Sequence, residues 1–141
     1  MSDVHSLPVR AGDLVVVGTD GLFDNLFAMD ILHALAGNKE VLPEEKRRGK
    51  HVLSVPIRTD AGNQLWDVKT GRPRVRELAQ TVAQHAHGIA RDYDKPRTPF
   101  ATEARLAGFH WDGGKLDDIT VLVAEVVDPS AAAADTTRSK L

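Results

Sequence analysis

Two short segments that combine aspartate with glycine constrain this chain more than any other feature. The first follows an apolar, β-branched run at residues 14–17, which predicts a buried strand. Residues 18–21 then read Gly-Thr-Asp-Gly, and Asp24 comes just before a helical pattern. Asp20 is therefore expected at the end of a strand, where a rigid element presents its carboxylate to a cleft.

The second segment, residues 113–120, has glycines and acids before a strand rather than after one. It reads Gly-Gly-Lys-Leu-Asp-Asp-Ile-Thr and leads into a predicted strand from Ile119 to Val127. If the two strands are neighbours, Asp20 and Asp117 meet at one edge of a sheet, where they offer oxygen ligands to a hard cation. Aspartate beside glycine is also typical of plain turns and helix caps, so spacing leaves both interpretations open.

The composition limits the classes of function. The chain has 141 residues, which suggests one domain, and it has no cysteine. A disulfide framework, a thiolate metal site and a cysteine nucleophile are therefore excluded. The net charge of −2 gives no basic field for nucleic acid or an anionic membrane. With no apolar run near the ~20 residues of a membrane span and no signal-peptide pattern, the chain is expected to be soluble and intracellular.

Hydrophobic periodicity predicts three helices and a weak first strand. A helix begins after Asp24 or Asn25, either of which can cap it, so Asp24 has a cap interpretation beside the metal one. The longest helix covers residues 74–93, and a shorter one follows Thr98, with Pro99 in its first turn. Residues 4–8 suggest an edge strand that forms a hairpin with the strand at 14–18.

Other segments carry less information. Residues 38–73 are predicted to hold a mixed-charge stretch and a hairpin formed by 51–57 and 64–70, and residues 128–141 a disordered tail. His110 lies near the second segment and is a candidate acid or base, although nothing in the sequence places its ring.

Residues 12–25 (GDLVVVGTDGLFDN) and 113–123 (GGKLDDITVLV) closely resemble the last two signature segments of the metal-dependent type-2C protein phosphatases, the PPM family. The likeness is strongest to the short mitochondrial and plastid-type branch and covers most of residues 3–127, apart from an insertion at about 38–73. The resemblance implies an α+β fold, part of an α/β-β/α sandwich of antiparallel sheets flanked by helices. It also implies hydrolysis of phosphoserine or phosphothreonine in phosphoproteins by a two-metal Mg²⁺ or Mn²⁺ site.

The resemblance assigns roles to individual residues. Asp20 and Asp117 match direct ligands of one ion, and Asp24 matches a position linked to a weaker third ion. Asp118 is expected to order its loop. The glycines Gly21, Gly113 and Gly114 shape the loops without binding metal.

The resemblance also implies that residues 1–127 are the C-terminal portion of a phosphatase domain. The family's bridging aspartate, phosphate-binding arginine and proposed acid histidine match no position here, so we expect the isolated chain to have little or no activity. An organellar location is suggested only by the branch.

Two other classes of function compete with the enzyme. A non-catalytic fragment could bind a protein partner through an open sheet edge and the 51–70 hairpin. A receiver-like phosphoacceptor also places acids at strand ends, but it needs a parallel, doubly wound pattern that this sequence does not supply.

Overall fold

The computed structural model describes residues 4–36, 65, 67, 70, 72–94 and 97–130. Within these ranges two strands and four helices follow one another along the chain. Their bounds are β1 Leu14–Gly18, α1 Asp20–Phe23, α2 Ala28–Ala36, α3 Val75–Ala90, α4 Pro99–Leu106 and β2 Val121–Glu125. The prediction of mixed helices with an antiparallel sheet is confirmed.

The sheet joins the two aspartate-containing segments directly. β1 and β2 pair antiparallel, with Leu14 opposite Glu125 and Gly18 opposite Val121. The predicted hairpin between residues 4–8 and β1 is wrong: residues 4–10 form no strand, and β1 pairs with β2 instead. The alternation of residues within one segment does not identify the strand that it pairs with. The pairing depends on which other segment buries the same apolar face.

One face of this sheet carries the core. Successive side chains in a strand point to opposite faces, and Val16 and its partner Val123 point toward the helices. Helix α3 packs against β2 and α2, and its apolar stripe is buried as its periodicity predicts. The largest fully buried apolar side chains are Leu22, Leu78 and Val82.

The opposite face is open in the part of the chain that the structure describes. Val15 is 39% exposed, Val17 is 55% exposed and Leu122, which pairs with Val17, is 56% exposed. The buried strand predicted at residues 14–17 is therefore covered on one face and open on the other. Only alternate side chains of β1 contact the core.

The first helical region differs from its prediction. Residues Asp20–Phe23 form a single turn, α1, and α2 begins later, at Ala28. Neither Asp24 nor Asn25 caps α2; the Asp30 carboxylate accepts a hydrogen bond from the Phe27 N–H instead (2.9 Å). The cap interpretation of Asp24 is wrong, since Asp24 lies at the C-terminal end of α1.

Helix α4 agrees closely with its prediction. Thr98 has extended backbone angles, and its hydroxyl accepts a hydrogen bond from the Ala101 N–H (3.1 Å). Pro99 occupies the first helical position, where its missing N–H costs nothing. Gly108, just beyond the helix, has φ +85°, a conformation that glycine adopts easily.

Several predicted segments lie outside the described residues. They include the mixed-charge stretch, most of the 51–70 hairpin and residues 131–141 of the predicted tail. Residues 128–130, which were assigned to that tail, are described: Asp128 accepts hydrogen bonds from the N–H and hydroxyl of Ser130. Among the described residues, no helix is both long and apolar enough to cross a membrane.

Candidate metal centre

The loop after β1 places Asp20 at the edge of the sheet. Thr19 continues the strand in an extended conformation, and Asp20 is the first residue of α1. The Thr19 hydroxyl donates to the Asp118 carbonyl (2.8 Å) and accepts from the Thr120 N–H (3.1 Å). This threonine therefore ties the first aspartate loop to the second.

Gly21 allows the two loops to approach closely. A Cβ atom at this position would lie 2.6 Å from the Asp118 carbonyl oxygen and 3.1 Å from the Asp117 Cβ. The first distance is too short for any side chain, so only glycine fits without a shift of the backbone. Gly21 therefore lies in close contact with the second aspartate segment.

The second loop is held by the C-terminal end of α3 and by the start of α4. The Gly114 N–H donates to the Asp92 carbonyl (2.8 Å), and the buried Thr98 hydroxyl donates to the Gly113 carbonyl (3.0 Å). Gly113 has φ +83°, and a Cβ atom on Gly114 would lie 2.0 Å from the Ile89 carbonyl oxygen. Both glycines therefore let the loop lie close to the main chain at the end of α3.

Asn25 connects both loops, a role that sequence reasoning missed. Its amide donates to the carbonyls of Gly21 and Lys115 (both 2.8 Å), and its side-chain oxygen accepts from the Lys115 N–H (2.9 Å). The residue is 1% exposed. A buried amide whose groups are all matched in this way fixes the distance between the two segments.

The structure brings Asp20, Asp24 and Asp117 together. One carboxylate oxygen from each lies within 4.8 Å of the other two. We call these three residues the acid cluster. Asp20 and Asp117 are exposed and Asp24 is half-buried, so the cluster is open to solvent. The Asp20 carboxylate accepts from the Gly21 N–H and the Asp117 carboxylate from the Asp118 N–H (both 2.9 Å).

Lys115 lies against the acid cluster. Its ammonium nitrogen is 2.6 Å from an Asp24 oxygen and 3.1 Å from an Asp117 oxygen. These hydrogen bonds raise the pKa of Lys115 above its ordinary value. The Lys115 bond, followed by the Asp118 N–H, lowers the pKa of Asp117, which favours an ionised carboxylate.

The donor set fits a divalent cation of the Mg²⁺ or Mn²⁺ type. Such ions prefer carboxylate, carbonyl and water oxygen, and three carboxylates converge here with solvent access for the waters that Mg²⁺ retains.

The structure also describes two further candidates from the sequence, Asp118 and His110. Asp118 contributes main-chain groups, through its carbonyl to Thr19 and its N–H to Asp117. The His110 side chain is 91% exposed and contacts Asp112 (3.3 Å), so the structure places it outside the acid cluster.

Comparison with known proteins finds several similar proteins that are named as protein phosphatases. The probable protein phosphatase 2C 55 of Arabidopsis thaliana is 35% identical over 127 residues, which cover 87% of this chain and 20% of that protein. The protein phosphatase PTC7 homolog fig of Drosophila melanogaster is 34% identical over 132 residues, which cover 93% of this chain and 32% of that protein. The chain is a relative of the type-2C protein phosphatases.

A solved structure agrees with these sequence matches. The X-ray structure of the photosystem II phosphatase PBCP matches 85% of this chain and 38% of that one, with a TM-score of 0.54 and 25% identity. No family model matches the chain. The resemblance to the type-2C phosphatases, which was drawn from the two aspartate segments, is confirmed. The match to a PTC7 homolog fits the resemblance to the short branch of that family. The chain spans about a fifth to a third of the length of the two curated relatives.

Proposed function

We propose that this chain supplies part of the metal centre of a Mg²⁺- or Mn²⁺-dependent protein Ser/Thr phosphatase, which acts on phosphoserine or phosphothreonine in phosphoproteins. The observation that carries the proposal is the convergence of three aspartate oxygens within 4.8 Å, from the loop after β1 and the loop before β2. The names of the relatives, which are protein phosphatases, support the same reaction.

The proposed roles are those that the family resemblance implies for the three carboxylates. Asp20 and Asp117 would hold one cation, and the half-buried Asp24 would contribute a weaker interaction. When bound, divalent cations neutralise charge on phosphoryl oxygens and increase the acidity of water. Thr19 and Asn25 would keep the two loops at a fixed separation, so that the ligands need little reorganisation.

We further propose that residues 1–127 are the C-terminal portion of a two-sheet domain whose remaining ligands come from another segment. The open face of β1 and β2 supports this proposal, because Val15, Val17 and Leu122 form an apolar surface suited to a second sheet. Three carboxylates on an open site hold Mg²⁺ weakly, since that ion gives up its waters reluctantly.

A calorimetric Mn²⁺ titration of the chain and its variants tests the metal site. We expect Asp20→Asn or Asp117→Asn to weaken binding by at least about tenfold, because each removes a charged ligand. Asp24→Asn should have a smaller effect. The control is Asp112→Asn, which removes an exposed carboxylate outside the acid cluster. Equal effects of Asp20→Asn and Asp112→Asn would contradict the proposed site.

The alternative is a non-catalytic phosphatase-derived module that binds a protein partner. The open apolar face favours it, because an unpaired sheet surface can receive another chain. The Mn²⁺ titration separates the two: the module requires no metal binding that depends on Asp20.

A further inference from the structure

The Lys115 ammonium occupies the position where a cation would compensate the acid cluster. It makes ion pairs with two of the three carboxylates, at 2.6 Å to Asp24 and 3.1 Å to Asp117. The third, Asp20, has no cationic side chain within ion-pair distance among the described residues. The three acids therefore already share one positive charge, which belongs to the chain itself.

The surrounding residues hold Lys115 in this position. Asn25 fixes its main chain through both the N–H and the carbonyl. The ammonium lies 4.9 Å from the centre of the Phe100 ring, a cation–π contact, and Trp111 packs edge-on against that ring. Because its backbone is fixed and its ammonium also contacts an aromatic ring, Lys115 loses less conformational entropy on pairing than a free surface lysine does.

A divalent cation in the acid cluster would lie close to the Lys115 ammonium, because both are attracted to the same carboxylates. A cation that binds between Asp20 and Asp117 repels the ammonium and competes with it for the charge of Asp117. The lysine stem has four carbons and rotates freely enough to move its charge away. Metal binding and the Lys115 ion pairs therefore oppose each other.

We propose that Lys115 is a built-in competitor of the divalent cation: its ammonium holds the acid cluster together without metal and lowers the affinity of the cluster for Mg²⁺ or Mn²⁺. This inference rests on the proposed function and extends it, because it makes Lys115 the residue that sets the metal concentration at which the site fills.

Lys115→Met tests the competition, since methionine has an unbranched side chain of similar length and carries no charge. In calorimetric titration of the 141-residue chain, we expect Lys115→Met to bind Mn²⁺ about three- to tenfold more tightly than the wild type, as expected for the loss of two partly exposed ion pairs. Lys115→Arg, which retains the charge, should stay near the wild-type affinity.

Arg72→Met is the matched control. It removes the same amount of charge from an exposed ion pair with Glu125, outside the acid cluster, so it reports the effect of net charge alone. We expect its Mn²⁺ affinity to equal that of the wild type. An Arg72→Met affinity that rises as much as that of Lys115→Met would overturn the inference.

Thermal unfolding gives a second readout. In EDTA, Lys115→Met should unfold at a lower temperature than the wild type, because three carboxylates are left without compensation. Saturating Mn²⁺ should raise its unfolding temperature by more than it raises that of the wild type.

The outcomes separate this inference from the proposed function. If Asp20→Asn abolishes Mn²⁺ binding but Lys115→Met binds no more tightly than the wild type, the metal site stands and the competitor role is wrong. If Mn²⁺ binding does not depend on Asp20 or Asp117, the metal site is wrong, and the role of Lys115 with it.

Discussion

At the scale of single residues, the acid cluster depends on a neutral side chain. Asn25 makes three hydrogen bonds that join the carbonyl of Gly21 to the main chain of Lys115, and it is buried between them. The loops carry like charges on Asp20 and Asp117, which repel each other. A buried amide that forms hydrogen bonds with both loops offsets this repulsion without adding charge.

Asn25→Ala should therefore destabilise the chain strongly. We expect a loss of about 2–4 kcal/mol in the free energy of unfolding, because three hydrogen bonds disappear and buried main-chain groups lose their partners. Chemical denaturation measures this loss. Thr81→Ala is the control, since among the described residues the Thr81 hydroxyl bonds to a carbonyl of its own helix (2.9 Å) and to neither aspartate loop. A loss of stability for Asn25→Ala as small as that for Thr81→Ala would contradict the proposal that Asn25 holds the two loops together.

The sequence predicted part of this site. Asp20 and Asp117 could be expected to meet, because each lies beside a strand end and neighbouring strands bring such ends together. Lys115 and Asn25 carried no comparable signal. Asn25 was interpreted as a possible helix cap, and a lysine near aspartates is typical of a solvated loop, so only the tertiary contacts give each residue its role.

At the scale of elements, helix α3 fixes the second aspartate loop through its last turn. Gly113 and Gly114 lie against the main chain of Ile89, Ala90 and Tyr93. The helix therefore serves both the core, through Leu78 and Val82, and the position of Asp117.

A pair of glycine substitutions tests this contact. Gly114→Ala should lower the free energy of unfolding by about 1–3 kcal/mol or more, because its Cβ would lie 2.0 Å from the Ile89 carbonyl oxygen. Gly88→Ala, in the same helix, meets nothing within 4 Å and should raise stability by about 0.5–1 kcal/mol. Chemical denaturation compares the two. Equal stabilities would mean that the loop moves away from α3 without cost.

The elements that the sequence predicted well have strong local signals. Helix α3 has a long apolar stripe, and α4 has Thr98 as its cap with Pro99 next to it. Helix α1 was missed because a single turn is too short to show a period. The proposed first hairpin was wrong because β1 pairs with a strand from the other end of the chain.

At the scale of the whole molecule, the described sheet has one covered face and one open face. Its two strands carry the acid cluster at one edge, while Val17 and Leu122 remain exposed on the side away from the helices. This arrangement is the basis of our proposal that a second sheet covers the open face.

We expect the isolated chain to have no Mn²⁺-dependent activity on a phosphoserine or phosphothreonine peptide, because three carboxylates do not assemble a pair of metal ions. A longer protein that also supplies the family's other ligands should hydrolyse the same peptide when Mn²⁺ is present. Release of inorganic phosphate measures both. Turnover by the 141-residue chain that is abolished by Asp20→Asn would contradict this expectation.

The pairing of β1 with β2 also has a consequence for synthesis of the protein. Thr19 contacts Asp118, which lies 99 positions further along the chain. During translation, the first loop therefore leaves the ribosome well before its counterpart exists. A nascent chain cannot assemble the acid cluster until the residues up to Asp118 have emerged, so formation of the cluster has to wait for a contact that is distant in sequence.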